Sequence, residues 1–540
     1  MPSINPITGT LGRERAAHLL RRATFGLTIG TVNDFASKTI SQAMADLLVV
    51  DISTDKPLNT DNSTTSFLDV AYTNDAAGAK LNWVQSHWLN KMREDNTAFF
   101  KVLLFWNNHF AISAANGQHY IKAYKYYKLL QKHALGNFRD FIIEITKDPL
   151  MLDWLDGHDN QKGANNIPSN ENYARELQEL FMIGATQPDG TPNYTEDDVR
   201  EAARVLTGWR IVNANGNLTD LGSQFSLARH DTGNKTFSSK YKNTVILGRS
   251  SISAGDTELG ELVDMILAQP ESAKFICRKI YQWFVASTIT PDLETDIIIP
   301  LANTFRSGNY QIKPVLEQLL SSEHFYEQAN RGAIIKHPLD FILNMSRLAN
   351  LPVPNPISQT EAFYNIISRM IRRAADDLQM DIMRHETVFG WDAYYQPEMY
   401  KLWINSTAIR LRNTHADLLV TGFTQTGFKS SFDALTLTEN ILTDIGYTFV
   451  NKNFPDSTDT QLANKIIEGF CFYLYPQQCP PDQQLVLRDA LLYQGELNEV
   501  GFWFEWKYYK DGDNAAKNGL RTKLSNMIRF MWKSAQFQLI

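Results

Sequence analysis

The sequence predicts a mainly α-helical protein, a multi-helix bundle carrying a small β insertion, and two observations support this. Apolar residues recur at steps of three and four over stretches too long for strands, as in 12–24, where Ala16, Leu19, Leu20 and Ala23 share one face. Short alternating runs are confined to 219–247, the one place where a small sheet is expected. In order, 32–48 reads as a second amphipathic helix and 51–66 as a polar loop rich in Thr, Ser and Asp. Helices follow over 80–94, 97–111, 119–134 and 137–146, and Asp148 before Pro149 ends the last, because the residue preceding proline avoids the helical region. A Gly/Asn/Asp loop over 157–169 leads into a short acidic helix. Thr195, with Asp198 three residues on, is a capping box opening a helix that runs to Leu206. The segments 257–268, 272–286, 293–307, 312–320 and 334–348 read as further helix pairs. Proline and glycine clusters at 351–358 and 475–482 are the best boundary signals, dividing the chain into 1–350, 351–480 and a C-terminal helical segment 481–540.

With 540 residues the chain exceeds one hydrophobic core, so packed subdomains are expected. Its 43% hydrophobic and 21% charged residues are globular values, and the net charge of −7 argues against a duplex-binding role, which needs a concentrated basic face. No run approaches the roughly 18 apolar residues of a membrane span. Met1-Pro2-Ser3-Ile4-Asn5-Pro6 has no basic region followed by an apolar core, so no leader is visible and the default expectation is a cytoplasmic protein. Of the three cysteines, Cys471 and Cys479 could bridge across a proline-containing turn in an oxidising compartment, and their spacing fits no zinc motif. Serine-hydrolase, P-loop, His-Glu-x-x-His and dinucleotide fingerprints are all missing from the sequence.

The acidic helix, Pro168-Ser169-Asn170-Glu171-Asn172-Tyr173-Ala174-Arg175-Glu176-Leu177, is capped by Ser169 or Asn170 in this reading. It places Asn172, Glu176 and Glu179 on one face, beside an apolar stripe of Tyr173, Leu177, Leu180, Phe181 and Gly184, with Arg175 one turn from Glu171 and Glu179. This segment, together with His18 to Gly26, Phe105-Trp106-Asn107-Asn108-His109-Phe110, Ala203 to Trp209, His230-Asp231 followed by Lys235-Thr236, Phe275 to Lys279, Lys336-His337-Pro338-Leu339 and the 391–412 block, resembles the DUF1800 family, in the version found in Bacteroidota. The resemblance covers nearly the whole chain and implies a helical fold and candidate positions, but no substrate. It also implies an exported partner of the DUF1501 family, whose carriage would be an alternative to a cytoplasmic location. The chain departs from the family pattern at Asn234, where proline is usual, at Ser238-Ser239, where Leu-Gly is usual, and over 384–389 before Gly390-Trp391.

His109 shares a helix face with Val102, Phe105 and Trp106, so it is either a buried core histidine or a ligand or general base. With Glu176, Glu179 and His230 it forms a candidate set of ligands for iron, manganese or zinc. A register-fixing network of Arg175, Arg204, Glu176 and Glu179 is the bland alternative. His230, Asp231 and Lys235 concentrate a titratable ring, a carboxylate and an amine around Gly233, and either Lys235 or Arg175 would hold an anionic group. Asn108 and Asn172 complete the candidate substrate contacts, with Trp391 and Tyr394 from an aromatic block that reads as a stacking platform or as core. Acidic clusters at 153–159 and 189–197 read as turns and caps in preference to calcium loops. The leading expectation is a metal-dependent hydrolase or oxidoreductase, and the rival is a non-catalytic assembly protein acting with its partner.

Overall fold

The computed structural model describes residues 2–52, 54–61, 64–115, 119–163, 168–395, 397–425, 427–492 and 498–540. Parts of the predicted 51–66 and 157–169 loops lie outside them. Helices dominate, and among the described residues β structure is limited to three two-stranded antiparallel ladders. Buried apolar side chains form one contiguous cluster from Ile7 to Phe537. Trp88, Trp106, Trp503, Trp506 and Trp532 are fully buried, so much of the tryptophan content serves packing. No helix among the described residues is long and apolar enough to cross a membrane.

Most predicted helices are present with ends moved by a few residues, among them Gly12–Ala23, Ala77–Glu94, Phe99–His109, Tyr120–His133 and Phe138–Thr146. The single helix expected over 32–48 is instead two, Ile29–Ala36 and Ile40–Leu47. Each opens with its own capping box, Thr28 with Thr31 and Thr39 with Gln42, and the second box satisfies the backbone donors of a new start inside one apolar stretch. Asp148 ends one helix as predicted and also starts another, because its Oδ1 accepts from Leu150 and Met151 N–H at the head of Pro149–Trp154. The Thr195–Asp198 capping box forms as read from the sequence.

The β structure is wider than the 219–247 window. Trp209–Val212 pairs with Gly222–Phe225, Lys235–Thr236 with Val245–Ile246, and a third hairpin joins Phe423–Gln425 to Phe428–Ser430. Strands this short offer one or two alternations, too few to register as a period. The 351–358 and 475–482 clusters fall between helices, the first between Pro338–Leu348 and Thr360–Ile367, the second between Leu462–Leu474 and Pro481–Leu491. Cys471 and Cys479 are buried free thiols in contact with each other.

The acidic helix is shorter and wider than the sequence suggests. Asn170 Oδ1 accepts from Asn172 N–H at 2.9 Å, and the helix Asn172–Glu176 passes into a π-helical turn, Leu177–Met182. The i→i+5 bond there runs from Ile183 N–H to the Gln178 carbonyl at 3.0 Å. Tyr173, Leu177, Leu180 and Phe181 are buried as the predicted stripe. The orphaned carbonyls at its end are taken by side chains: Met182 by Ser272 Oγ at 2.9 Å, and Ile183 and Gly184 by Asn193 Nδ2 at 3.1 and 3.0 Å. The remaining one, on Phe181, is taken by His109.

Candidate active-site recess

His109 is the last residue of Phe99–His109, a helix buried along nearly its whole length. Its Nε2 lies 3.0 Å from the Phe181 carbonyl. A carbonyl only accepts, so Nε2 carries the proton and Nδ1 is the lone-pair nitrogen of the neutral ring. That Nδ1 is buried and has no partner among the described residues. Burial, and then the charge of Lys279, hold the imidazole well below its usual range, against the Phe181 bond. The ring is therefore neutral throughout the physiological range, with one free acceptor.

Lys279 comes from Pro270–Phe284, where Lys279, Gln282 and Trp283 fall on one face at steps of three and four. Its ammonium sits 5.0 Å from the Phe275 ring centre and has no hydrogen bond or ion pair among the described residues. Burial pulls its pKa down to about 8. His109 and Lys279 border the same recess, a space of about 30 Å³ completed by Phe105, Asn108, Gln282, Trp283 and Tyr394. Such a space has room for at least one water-sized group. Larger open concavities, about 460, 360, 330 and 190 Å³, lie elsewhere and contain none of the candidate catalytic or metal-binding residues.

Behind the recess wall lies a buried charged layer. Trp283 stacks at 4.6 Å on Tyr394 and lies 5.6 Å from His337, which with Lys101 reaches Asp340. Arg21, Arg22, Lys101, Lys336 and Arg412 are all buried here with Asp340, and burial lowers the pKa of each of these five bases. Much of this charge is held on carbonyls: Arg22 on Asn330 at 2.8 Å and on Val285, Arg21 on Phe472, Lys336 on Phe537 at 2.7 Å, and Arg412 on Lys336 at 2.7 Å and Trp403 at 3.1 Å.

The family that matches is described as a protein of unknown function (DUF1800), and it matches over residues 18–538. The chain belongs to the DUF1800 family. No curated protein and no solved structure matches it. In this DUF1800 protein four of the segments that carry the resemblance in sequence meet around the recess: His18 to Gly26 and Lys336 to Leu339 in the charged layer, and the His109 and Phe275 to Lys279 segments on its walls. Tyr394 from the 391–412 block closes it, while Gln396 of that block lies outside the described residues.

Of the other residues singled out in the sequence, Asn108 and Tyr394 line the His109 recess, and the candidate catalytic and metal-binding residues do not. His230, Asp231 and Lys235 do meet, but in a sealed core. Lys235 Nζ lies 2.5 Å from Glu258 Oε2 and also reaches the Asp231 carbonyl, and both charged side chains are fully buried. His230 Nδ1 lies 2.9 Å from the Thr207 carbonyl and its Nε2 is 3.3 Å from Glu258, off the line of a hydrogen bond. Asp231 is forked by Arg204 at 2.8 and 3.1 Å; burial works against its charge, yet the guanidinium holds it below its usual value. The ligand set His109, Glu176, Glu179 and His230 is thus not assembled, and no three His, Cys, Asp or Glu side chains are grouped for a metal among the described residues.

Arg175 forks Glu196 at 2.9 and 2.7 Å and lies 3.5 Å from Glu171, leaving Glu179 to the Tyr194 hydroxyl at 3.1 Å. The Arg175–Arg204–Glu176–Glu179 network is therefore absent as well. Asn172 is exposed, and Asn108 uses its Oδ1 to accept Trp391 N–H at 2.8 Å, a supporting role. Trp391 and Trp403 are 5% exposed and face the core, so the aromatic block is no exposed platform. Asn193, Glu196 and Asp197 serve carbonyls, Arg175 and Arg200, as turn and cap residues do. Lys279, Gln282, Trp283 and Glu258 were not singled out in the sequence. A lysine flanked at steps of three and four by Gln282 and Trp283 on a half-apolar helix face was the available signal for the first three. Glu258, in the second turn of Ala254–Leu267, looks like any solvated helix charge.

Glu176 is half-buried with no hydrogen bond or ion pair among the described residues, and burial followed by the like charge of Glu179 pushes its carboxyl up to about 7. Because the folded value lies above the ordinary 4.5, the neutral acid favours the fold. That contribution is complete below about pH 4.5 and lost as pH rises through about 7. Glu176→Gln is expected to add on the order of 1 kcal/mol at about pH 8, after allowance for solvent screening, and to flatten the decline between those limits. Urea unfolding of both proteins across that window measures it, and parallel pH profiles would count against the assignment.

Proposed function

We propose that the chain is an enzyme acting on a small anionic molecule at the recess, with His109 Nδ1 as proton acceptor and Lys279 as the group that holds the substrate. The observation that carries this reading is that a free imidazole lone pair and an unpaired amine border one space. Nearly all buried polar groups in folded proteins are partnered, so the unpartnered Nδ1 of buried His109, beside the amine of half-buried Lys279, marks a place where a ligand completes the set. A neutral buried imidazole suits proton abstraction, a contribution of about 10²–10⁴-fold when the base is positioned. The excess of cations behind Trp283 and Tyr394 favours negative charge in front of them. Hydrolysis and oxidation at a divalent metal remain the narrower version, for which the recess offers one free donor, His109 Nδ1.

An assembly role has an observation of its own. Val500, Phe504 and Tyr508 recur every four residues along Glu499–Lys510, with Val500 41% and Tyr508 51% exposed, and Phe454, 78% exposed, stands against Phe504. Such an apolar stripe suits a protein partner, of which a DUF1501-type protein is one. The recess decides between the two readings. Titrating acetate, phosphate and glyoxylate while following the His109 ring by NMR is expected to give a saturable shift with at least one of them. Lys279→Met should weaken that binding roughly tenfold or more, the worth of one charged hydrogen bond. A His109 signal indifferent to all three, in protein that unfolds normally, would overturn the enzyme reading in favour of the stripe.

A further inference from the structure

We infer that Lys279 is a Schiff-base lysine, whose amine condenses with the carbonyl carbon of a small oxo acid seated in the recess. This rests on the enzyme reading and deepens it by naming the covalent step and the substrate class. The first support is that Lys279, half-buried, differs from the buried lysines. Lys101 is committed to Asp340, Lys122 to Asp153 at 2.7 Å, Lys235 to Glu258 and Lys336 to the Phe537 carbonyl. Half-buried Lys279 lies over an aromatic ring, as Lys101 and Lys336 also do, but unlike them has no acceptor among the described residues. An ammonium partly withdrawn from water without an acceptor shifts towards its neutral, nucleophilic form, in keeping with its lowered pKa of about 8.

The second support is the neighbouring base. Nδ1 of His109 is unprotonated and unpartnered, and the Lys279 charge acts on that ring. In the step inferred, the nitrogen lone pair of Lys279 forms the C–N bond while the carbonyl π pair moves to oxygen. His109 takes a proton from the nitrogen and passes it to the oxygen, which becomes the carbinolamine hydroxyl. His109 then takes the second nitrogen proton as the nitrogen pair forms the C=N bond, and delivers it to the hydroxyl, which leaves as water as the C–O bond breaks. Amine plus carbonyl gives imine plus water, with no change of oxidation state. The recess is small, with about 30 Å³ of room for water-sized groups, and so suits a molecule of few atoms. The buried arginines Arg21, Arg22 and Arg412 behind the wall favour a carboxylate on the same molecule.

The test is reductive trapping with glyoxylate and sodium cyanoborohydride near pH 7, read by intact mass and peptide mapping of the full chain. An amine with a pKa of about 8 has about two orders of magnitude more free base there than an ordinary lysine. One carboxymethyl group on the peptide containing Lys279 is therefore expected well before the exposed lysines react, with His109→Gln slowing the modification and Lys279→Arg abolishing it. Modification that follows surface exposure, with Lys279 no faster than the rest, overturns the inference, and the wild-type peptide map alone decides this should Lys279→Arg fold poorly. A saturable His109 NMR shift with acetate in protein that forms no adduct would sink the imine while leaving the enzyme reading intact; loss of both would sink both.

Discussion

Replacing Lys235 with methionine is expected to cost the fold about 3–5 kcal/mol near neutral pH, the range for removing one partner of a buried ion pair. Lys235 and Glu258 are fully buried 2.5 Å apart, and the second oxygen of Glu258 accepts the Arg249 N–H at 2.8 Å. Without the ammonium, Glu258 keeps that backbone bond and the His230 ring at 3.3 Å, too little for a carboxylate out of water. Burial alone would raise the Glu258 carboxyl, but His230 and Lys235 outweigh it and hold the acid below its usual 4.5. The wild-type pair thus contributes most above that value and its contribution falls away in acid, so the gap between wild type and Lys235→Met should narrow as pH drops. Lys235→Met with Glu258→Gln should recover most of the loss, because a neutral pair needs no counter-charge, and a double-mutant cycle in urea isolates the coupling. A cost below about 1 kcal/mol, accompanied by changed behaviour at the recess, would return His230 and Lys235 to the functional site.

The same contrast explains what could be read from the sequence. Helix faces such as Tyr173, Leu177 and Phe181 were legible because burial follows a period that the residues themselves display. Capping at Thr195 and Asp198 was legible because both partners lie within one turn. His109 and His230 each stood out, and what could not be seen was the choice of partner. His109 meets a carbonyl 72 positions along the chain and a lysine on a third helix, while His230 meets Glu258 across a β hairpin. Two histidines that look equivalent in sequence therefore part company in the fold, one left with a free nitrogen at a recess and the other sealed in a salt-bridged core. The π-helical turn was equally hidden, because it is set by side chains arriving from Ser272, Asn193 and His109 and by no local pattern.

Gly390 gives the second large effect and ties backbone geometry to the recess. Its φ is +82°, and a Cβ there would lie 2.5 Å from Asn108 Oδ1 and 2.6 Å from the Asn108 carbonyl oxygen. Neither atom can yield easily. The carbonyl belongs to the end of the Phe99–His109 helix, and Oδ1 is held by Trp391 N–H at 2.8 Å. Gly390→Ala is therefore expected to cost about 2–4 kcal/mol, part from the left-handed backbone and part from overpacking. Gly446 is the internal control, since its φ is +76° with open space around the Cβ position, so Gly446→Ala carries only the backbone part, about 1–2 kcal/mol. The difference between the two variants in thermal or urea unfolding measures the closeness of Asn108, and equal losses would mean that the approach is not tight. The functional consequence follows from position. Asn108 precedes His109, and Tyr394 N–H is bound to the Trp391 carbonyl at 2.9 Å, so a displaced Asn108 moves two walls of the recess together. Trapping at Lys279 should then fall in Gly390→Ala under conditions where the protein is still folded, and stay at the wild-type rate in Gly446→Ala.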